Sequence, residues 1–142
     1  VRGSIFARAC AGAARRVGEG AEPKLVARLE KNLEQMRETH AKGDTARYYP
    51  LNIEFHDLLL QAAANPKAKT IYDNLVKEMH LFRRKGLSVA TNIARSIDEH
   101  AAITRAVAAA DPEGARVAAL AHITGGLARY MTMAEADTPM AG

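Results

Sequence analysis

Residues Leu51–Asn65 read LNIEFHDLLLQAAAN, and this stretch decides the fold class of the chain. Its apolar side chains recur with the spacing of one helix face, at Leu51, Phe55, Leu58 and Leu59. Asn52 and His56 lie one turn apart beside that face. The stretch therefore predicts an amphipathic helix with two polar side chains at the border of its apolar stripe.

The helical period continues on both sides of this stretch, and no window alternates apolar and polar residues for long enough to suggest a strand. Pro50 predicts a kink or a fresh start in the third helix. Short connections between amphipathic helices favour an antiparallel bundle. We therefore predict an all-α fold with helices at about 4–17, 23–41, 44–64, 66–86, 92–109 and 112–133.

Helix boundaries are marked by cap residues, namely Asp44, Asn65 before Pro66, and Asp111 before Pro112. Gly43 predicts the end of the second helix. In the fourth helix we expect an inward stripe of Ile71, Leu75, Met79 and Phe82. In the fifth, the inward stripe is Ile93, Ile97, His100, Thr104 and Val107.

Composition is that of an ordinary globular protein, with 142 residues, 48% hydrophobic and 25% charged. The net charge is +4, but acids are mixed with the bases, which indicates a solvated surface and not a nucleic-acid footprint. The single Cys10 excludes an intrachain disulfide and fits the reducing cytoplasm. No apolar run approaches the roughly 18 residues of a membrane span, so we expect no membrane partner.

Three histidines fall on three different predicted helices and on inward or bordering faces: His56, His100 and His122. Neutral imidazole is a common ligand of divalent metals, so convergence would create a metal site with open positions. Asn52 could supply a fourth, weaker contact through its side-chain oxygen. The alternative is that each histidine is a core residue with one hydrogen bond. His40 and His80 are poorer candidates for ligands.

Three further side chains are candidates for binding a small ligand. Arg83 and Arg2 could each clamp a carboxylate, although either could instead extend to solvent with its stem packed. Ser96 lies one turn before His100 and could bind a ligand, or bond back to the carbonyl of Asn92. We expect Arg129 to lie on the side of His122, two turns later.

Gly125 and Gly126 in the sixth helix should cost about 1 kcal/mol each relative to alanine. They indicate either a close helix crossing or a cavity beside His122, and we favour the crossing. A metal-dependent hydrolase or lyase is an alternative function, but it needs a general base. Glu54 is expected to face away from His56, and Glu99 to neighbour His100 but point off its stripe, so no carboxylate is clearly placed for that role. A helical interaction module without metal is a third interpretation.

A series of short motifs in a specific order resembles the FCD domain, the C-terminal effector-binding domain of FadR-type GntR transcription regulators. The resemblance extends from Arg2 to about Arg129. It rests on Asn52-x-x-Phe55-His56-x-x-Leu59, Ala64-Asn65-Pro66, Arg83, Ser96-x-x-x-His100-x-x-Ile103, Ala106, Asp111 and His122.

The resemblance implies a bundle of six to seven helices over residues 1–136, with 137–142 as a disordered tail. It implies a divalent metal, zinc or nickel, held by His56, His100 and His122. Asn52 stands where the family commonly has aspartate, and as a neutral group it should bind a cation less strongly. Phe6 stands where glutamate is common.

The resemblance also implies a transcriptional regulator and not an enzyme, with a small carboxylate effector and a homodimer. Operator DNA would be bound only through an N-terminal winged helix-turn-helix, which this chain lacks. Residues 1–16 bear arginine and no acid, a pattern typical of a transit peptide as well as of a first bundle helix. Because the chain starts at valine, we expect it to be a fragment.

Overall fold

Six α-helices follow one another along the part of the chain that the structure describes, and this part contains no strand. A computed structural model describes residues 1–87 and 89–137, and of 81–83, 86 and 134–137 it describes the backbone alone. The fold is the predicted all-α bundle. The helices are α1 (Arg2–Gly18), α2 (Leu25–Ala41), α3 (Thr45–Ala62), α4 (Pro66–Gly86), α5 (Ala90–Ala108) and α6 (Pro112–Asp137).

The predicted caps are confirmed at three helix starts. Side-chain oxygens of Asp44, Asn65 and Asp111 accept backbone N–H bonds from the residue three positions on, at 3.2, 3.1 and 3.0 Å. Gly43 ends α2 with a φ of 67°. These local signals therefore set where α3, α4 and α6 begin.

The expectation of a fresh start at Pro50 is wrong, because α3 runs unbroken from Thr45 to Ala62. A proline at this position frees the carbonyl of Ala46, four residues earlier. Ala46 is exposed and lies in the first turn of the helix, so water can satisfy that carbonyl. Helix α3 can therefore carry Asn52 and His56 on one continuous face.

Helix α1 lies antiparallel to α6 at the centre of the bundle. Gly3 packs against Ile123 at one end of the pair, and Gly18 packs against Ala110 at the other. Helices α5 and α6 also run antiparallel, since Asn92 contacts Met133 while residues near 100 meet residues near 122. The core therefore forms mainly between α1, α5 and α6, with α2 and α3 completing it.

The inward stripe of α5 is confirmed, because all five of its predicted residues are buried. The stripe predicted for α4 is wrong at Ile71, where the buried face is rotated by one position. Met79 lines the cavity described below, and the side chain of Phe82 lies outside the described residues. Tyr72 and Val76 are buried, at 2% and 7% exposure, whereas Ile71 is 44% exposed. This rotation brings Tyr72 against α3, where it takes part in the site described below. Residues 138–142, most of the predicted disordered tail, lie outside the described residues.

Of the helices described, none combines the length and the apolar character that crossing a bilayer requires.

Candidate metal centre

Three buried histidines from three helices meet at one point of the core. His56 of α3, His100 of α5 and His122 of α6 are 3%, 0% and 6% exposed. The Nε2 atom of His122 lies 3.2 Å from Nε2 of His56 and 3.1 Å from Nε2 of His100. One ring nitrogen from each histidine lies within 4.8 Å of the others. We call these three residues the histidine cluster.

The opposite ring nitrogens are held by neighbouring side chains. Nδ1 of His56 lies 2.8 Å from the hydroxyl of Tyr72 on α4. Nδ1 of His122 lies 2.9 Å from Oε1 of Glu99 on α5. Because a carboxylate can only accept, His122 donates its Nδ1 proton, which leaves Nε2 as the nitrogen that faces the cluster and can bind a metal. The tautomer suited to metal ligation is thereby selected.

His100 has a softer partner, since its Nδ1 lies 3.2 Å from the sulfur of Met36 on α2. Phenylalanine rings stack on two of the imidazoles. Phe55 lies 4.1 Å from the ring centroid of His100, and Phe6 of α1 lies 4.3 Å from that of His56. Flat stacking at these distances restricts ring rotation. Phe6 thus forms an apolar wall of the cluster.

Glu99 connects the cluster to a second cation. Its Oε1 accepts from Nη2 of Arg129 at 2.6 Å, and its Oε2 accepts from Nη1 at 3.0 Å. Burial alone would raise the pKa of Glu99, but the hydrogen bonds and charges of His122 and Arg129 hold that pKa below its ordinary value. Glu99 is therefore a carboxylate under neutral conditions. Glu99 points off the stripe that carries His100, as expected, but it contacts His122, which sequence reasoning did not foresee.

Gly125 makes room for this ion pair. A Cβ atom at Gly125 would lie 2.9 Å from Oε2 of Glu99 and 3.1 Å from Nη1 of Arg129. Both neighbours are side chains, so the glycine does not serve the close helix crossing that the sequence favoured. Arg129 lies on the same side of α6 as His122, as expected.

A cavity of about 250 Å³ adjoins the histidine cluster. His56 and His122 form part of its wall, and the other predicted side chains in the wall are Arg2, Asn52 and Ser96. Arg129 and Tyr130 border it from α6. The cavity therefore brings polar groups from α1, α3, α5 and α6 to one space.

Two of these polar groups differ in how they are held. Asn52 is 3% exposed, and its amide makes no hydrogen bond with the groups that the structure describes. Ser96 is 1% exposed and accepts from the hydroxyl of Tyr48 at 2.8 Å. Burial raises the pKa of Tyr48, which keeps this donor protonated. Asn52 is thus the amide best placed to contact a ligand.

Three other residues were considered as candidates for the site: Arg83, His80 and His40. Arg83 lies in α4, but the structure describes only its backbone. His80 contacts the Tyr49 hydroxyl, away from the cluster. His40 ends α2 and takes no part in the grouping of His56, His100 and His122.

The donor set fits a divalent transition metal. Two imidazole nitrogens bound at about 2.0–2.1 Å with angles of about 90–109° lie about 2.8–3.4 Å apart. The two measured Nε2 separations, 3.1 and 3.2 Å, fall in this range. A bound cation would accept a lone pair from each of the three Nε2 atoms in its unprotonated form.

Sequence reasoning missed the residues that support the cluster: Tyr72, Glu99, Met36 and Phe6. A signal existed for Glu99, because it directly precedes a candidate ligand and has a long side chain. Tyr72 could have been found only with the correct rotation of α4.

The FCD domain family matches residues 10–125 of the chain. The matched span contains the histidine cluster, Asn52, Arg83 and Ser96, whereas Arg2 and Arg129 lie outside it. No curated protein and no solved structure matches the chain. Because the matched span covers most of the sequence, the protein belongs to the FCD domain family, a family of ligand-sensing regulatory domains.

Proposed function

We propose that this chain is the sensing domain of a bacterial GntR-type transcription regulator and that it binds a divalent metal and a small carboxylate. The observation that carries the proposal is the convergence of three buried Nε2 atoms, with separations of 3.1 and 3.2 Å around His122. Buried imidazoles with unrelated roles would form hydrogen bonds with separate partners and would not converge on one point. A shared focus next to a cavity is the arrangement of a ligand-accessible metal site.

Zinc or nickel is the metal that we propose, held by His56, His100 and His122. Imidazole nitrogen suits both ions, and the donor set contains no thiolate that would favour softer metals. Asn52 would add a weak oxygen contact from the cavity wall. The metal, when bound, supplies a Lewis acid to which a carboxylate can bind.

A small carboxylate, such as a hydroxy acid or a dicarboxylate, is the effector that we propose. The cavity volume of about 250 Å³ is suited to such a molecule and is below the usual range for drug-sized ligands. Arg2 and Ser96 in the wall, together with Arg83 of α4, would bind its polar groups. Arginine is suited to this role because its planar fork matches a carboxylate.

A homodimer is part of the proposal, and one surface of α6 supports it. Val117, Leu120, Leu127 and Met131 are 39–52% exposed and recur at three- and four-residue steps through Thr124. This spacing produces an apolar seam of the kind that pairs helices. A second copy covering the seam would be a route by which effector binding reaches the rest of the regulator.

In the complete regulator, we propose that effector binding in the cytoplasm changes the spacing of two winged helix-turn-helix domains and so alters operator affinity. The effector can do this only by binding one arrangement of the dimer more tightly than the other.

Hydrolysis or lyase chemistry is less well supported. The carboxylate nearest to the cluster, Glu99, already accepts hydrogen bonds from His122 and Arg129. A general base must be able to take a proton from substrate or water, and these bonds compete with that role. Turnover of any substrate by the zinc-loaded protein would favour the enzyme.

Zinc titration of three chains tests the metal site. We expect wild type and His40→Ala to bind one zinc ion per chain, and His100→Ala to lose binding. His40→Ala is the matched control because it removes an imidazole outside the cluster. His100→Phe, which keeps a ring against Phe55, separates loss of ligation from loss of packing. Equal zinc affinity in wild type and both His100 variants would contradict the proposal.

A further inference from the structure

One carboxylate stands between the histidine cluster and the wall of the cavity. Oε1 of Glu99 is shared by Nδ1 of His122 at 2.9 Å and by Nη2 of Arg129 at 2.6 Å. Arg129 borders the cavity, and its side chain is 13% exposed. An anion in the cavity that contacts Arg129 would therefore be linked to His122 through the side chains of Arg129 and Glu99.

We propose that Arg129 binds the effector carboxylate and that Glu99 is a positioning residue, which transmits this contact to His122. Metal and carboxylate then bind cooperatively. This inference rests on the proposed function and deepens it. Arg129 lies beyond the span that the family matches, so the assignment comes from the contacts of this chain alone.

The guanidinium group has donors for both partners. Arginine carries five N–H groups in a fixed plane. Glu99 uses one from Nη1 and one from Nη2, which leaves other donors of Arg129 for an anion in the cavity. A carboxylate there would form charge-assisted hydrogen bonds with a cation that is already oriented.

The direction of the coupling follows from charge. Arg129 neutralises part of the charge on Glu99 and so weakens its hold on the Nδ1 proton of His122. An effector carboxylate that forms hydrogen bonds with Arg129 competes with Glu99 for that cation. Glu99 then interacts more strongly with His122. A stronger Nδ1–H bond makes the opposite nitrogen a better ligand. We therefore expect carboxylate binding to tighten metal binding and, by linkage, the reverse.

Gly125 offers a way to disturb the ion pair without deleting either partner. A methyl group there would meet both Oε2 of Glu99 and Nη1 of Arg129. At Gly126 the nearest atom is Nη2 of Arg129, 4.0 Å from the added Cβ, which is ordinary contact. Both changes raise helix propensity in the same helix, so Gly126→Ala is a matched control for the zinc affinity of Gly125→Ala.

The test measures zinc affinity of the full chain by competition with a chromophoric chelator, with and without succinate. Without succinate, we expect Glu99→Gln to bind zinc about 10- to 100-fold more weakly than wild type. Gly125→Ala should weaken binding in the same direction, because its methyl group would meet Oε2 of Glu99 first and displace that carboxylate from His122. Gly126→Ala should match wild type. Helical circular dichroism checks that each variant is folded.

Succinate supplies the second measurement. In wild type it should tighten zinc binding by about fivefold or more. In Arg129→Met, which keeps an unbranched apolar stem, and in Glu99→Gln the ratio of zinc affinities with and without succinate should fall to one. A residue that only supports the fold would not change this ratio.

The outcomes separate the inference from the proposed function. If wild type and Gly126→Ala bind no zinc, the metal site itself is contradicted, and the inference with it. If both bind zinc and Glu99→Gln binds it equally well, the role of Glu99 is overturned while the metal site stands. If Arg129→Met keeps the succinate effect, Arg129 is not the carboxylate-binding group.

Discussion

The core of the bundle has two halves that are built from different kinds of side chain. In one, which we call the histidine half, Phe6 of α1 stacks on His56. His56 and His100 meet His122 there, and His122 contacts Glu99. In the other, which we call the alanine half, the opposite ends of α1 and α6 pack through small side chains. Its members with 0% exposure are Cys10, Ala13, Ala14, Val107 and Ala115.

The two halves obtain stability by different means. In the alanine half, small residues let α1 and α6 approach closely, and burial raises the pKa of the Cys10 thiol, which keeps it unreactive. In the histidine half, each imidazole is buried with specific partners. If the chain needed only to be a stable bundle, apolar side chains could fill both halves. We therefore expect the function of the chain to lie in the histidine half.

Phe6→Ala is the substitution expected to have the largest effect. Phe6 is fully buried and stacks on His56, so its loss removes apolar contacts and leaves a cavity. The free energy of unfolding should fall by about 3–5 kcal/mol, measured by urea denaturation. Phe6→Leu, which keeps most of the apolar volume, should cost clearly less. A loss of under about 1 kcal/mol for Phe6→Ala would show that this wall does not support the cluster.

Zinc should stabilise through the histidine half alone. At a free concentration 100 times its dissociation constant, zinc should raise the free energy of unfolding of wild type by about 2.7 kcal/mol. Val107→Ala, a change in the alanine half, should start less stable and gain the same increment. His122→Ala should gain none. Thermal denaturation with zinc and with chelator measures all three, and an equal gain in His122→Ala would remove the distinction between the halves.

Added side-chain volume in the alanine half should lower stability without changing zinc affinity. Ala14 has no exposure, and a leucine there should lower the free energy of unfolding by about 1–3 kcal/mol, because the surrounding side chains must shift. The zinc affinity of Ala14→Leu, measured under native conditions, should equal that of wild type. A marked change in zinc affinity would show that the two halves are mechanically linked.

The smallest expected effect lies at the end of α5, where the alanine half begins. Ala110 has a φ of 54°, a left-handed conformation that disfavours residues with a Cβ atom. Ala110→Gly should therefore raise the free energy of unfolding by about 0.5–1 kcal/mol, after allowance for the greater freedom of the unfolded chain. Ala109→Gly is the control, because Ala109 has a φ of −79° and should lose stability.

Much of the fold and the centre of the site could be predicted from the sequence. Helix starts follow from local chemistry, so the caps at Asp44, Asn65 and Asp111 were predicted correctly. The inward stripe of α5 was also predicted, which placed His100 in the core. The coordination role of the three histidines stays a prediction, although their proximity agrees with it.

What could not be predicted depends on contacts between distant residues. Glu99 is 100° around the helix from His100, so a helical wheel directs it away from that neighbour. Its side chain instead reaches α6, where His122 and Arg129 are brought by tertiary packing. The role of Gly125 follows from the same packing, because its empty space is filled by side chains 26 residues earlier and four residues later. No local sequence pattern predicts these contacts between distant residues.

X-ray absorption spectroscopy of the zinc-loaded chain tests the central claim most directly, because it counts the atoms bound to the metal. We predict three imidazole nitrogens at about 2.0–2.1 Å, with oxygen completing the coordination. His100→Phe should show at most two imidazoles and much weaker zinc binding. A spectrum of wild type with fewer than three imidazoles, or with sulfur as a ligand, would contradict the claim that His56, His100 and His122 form a metal centre.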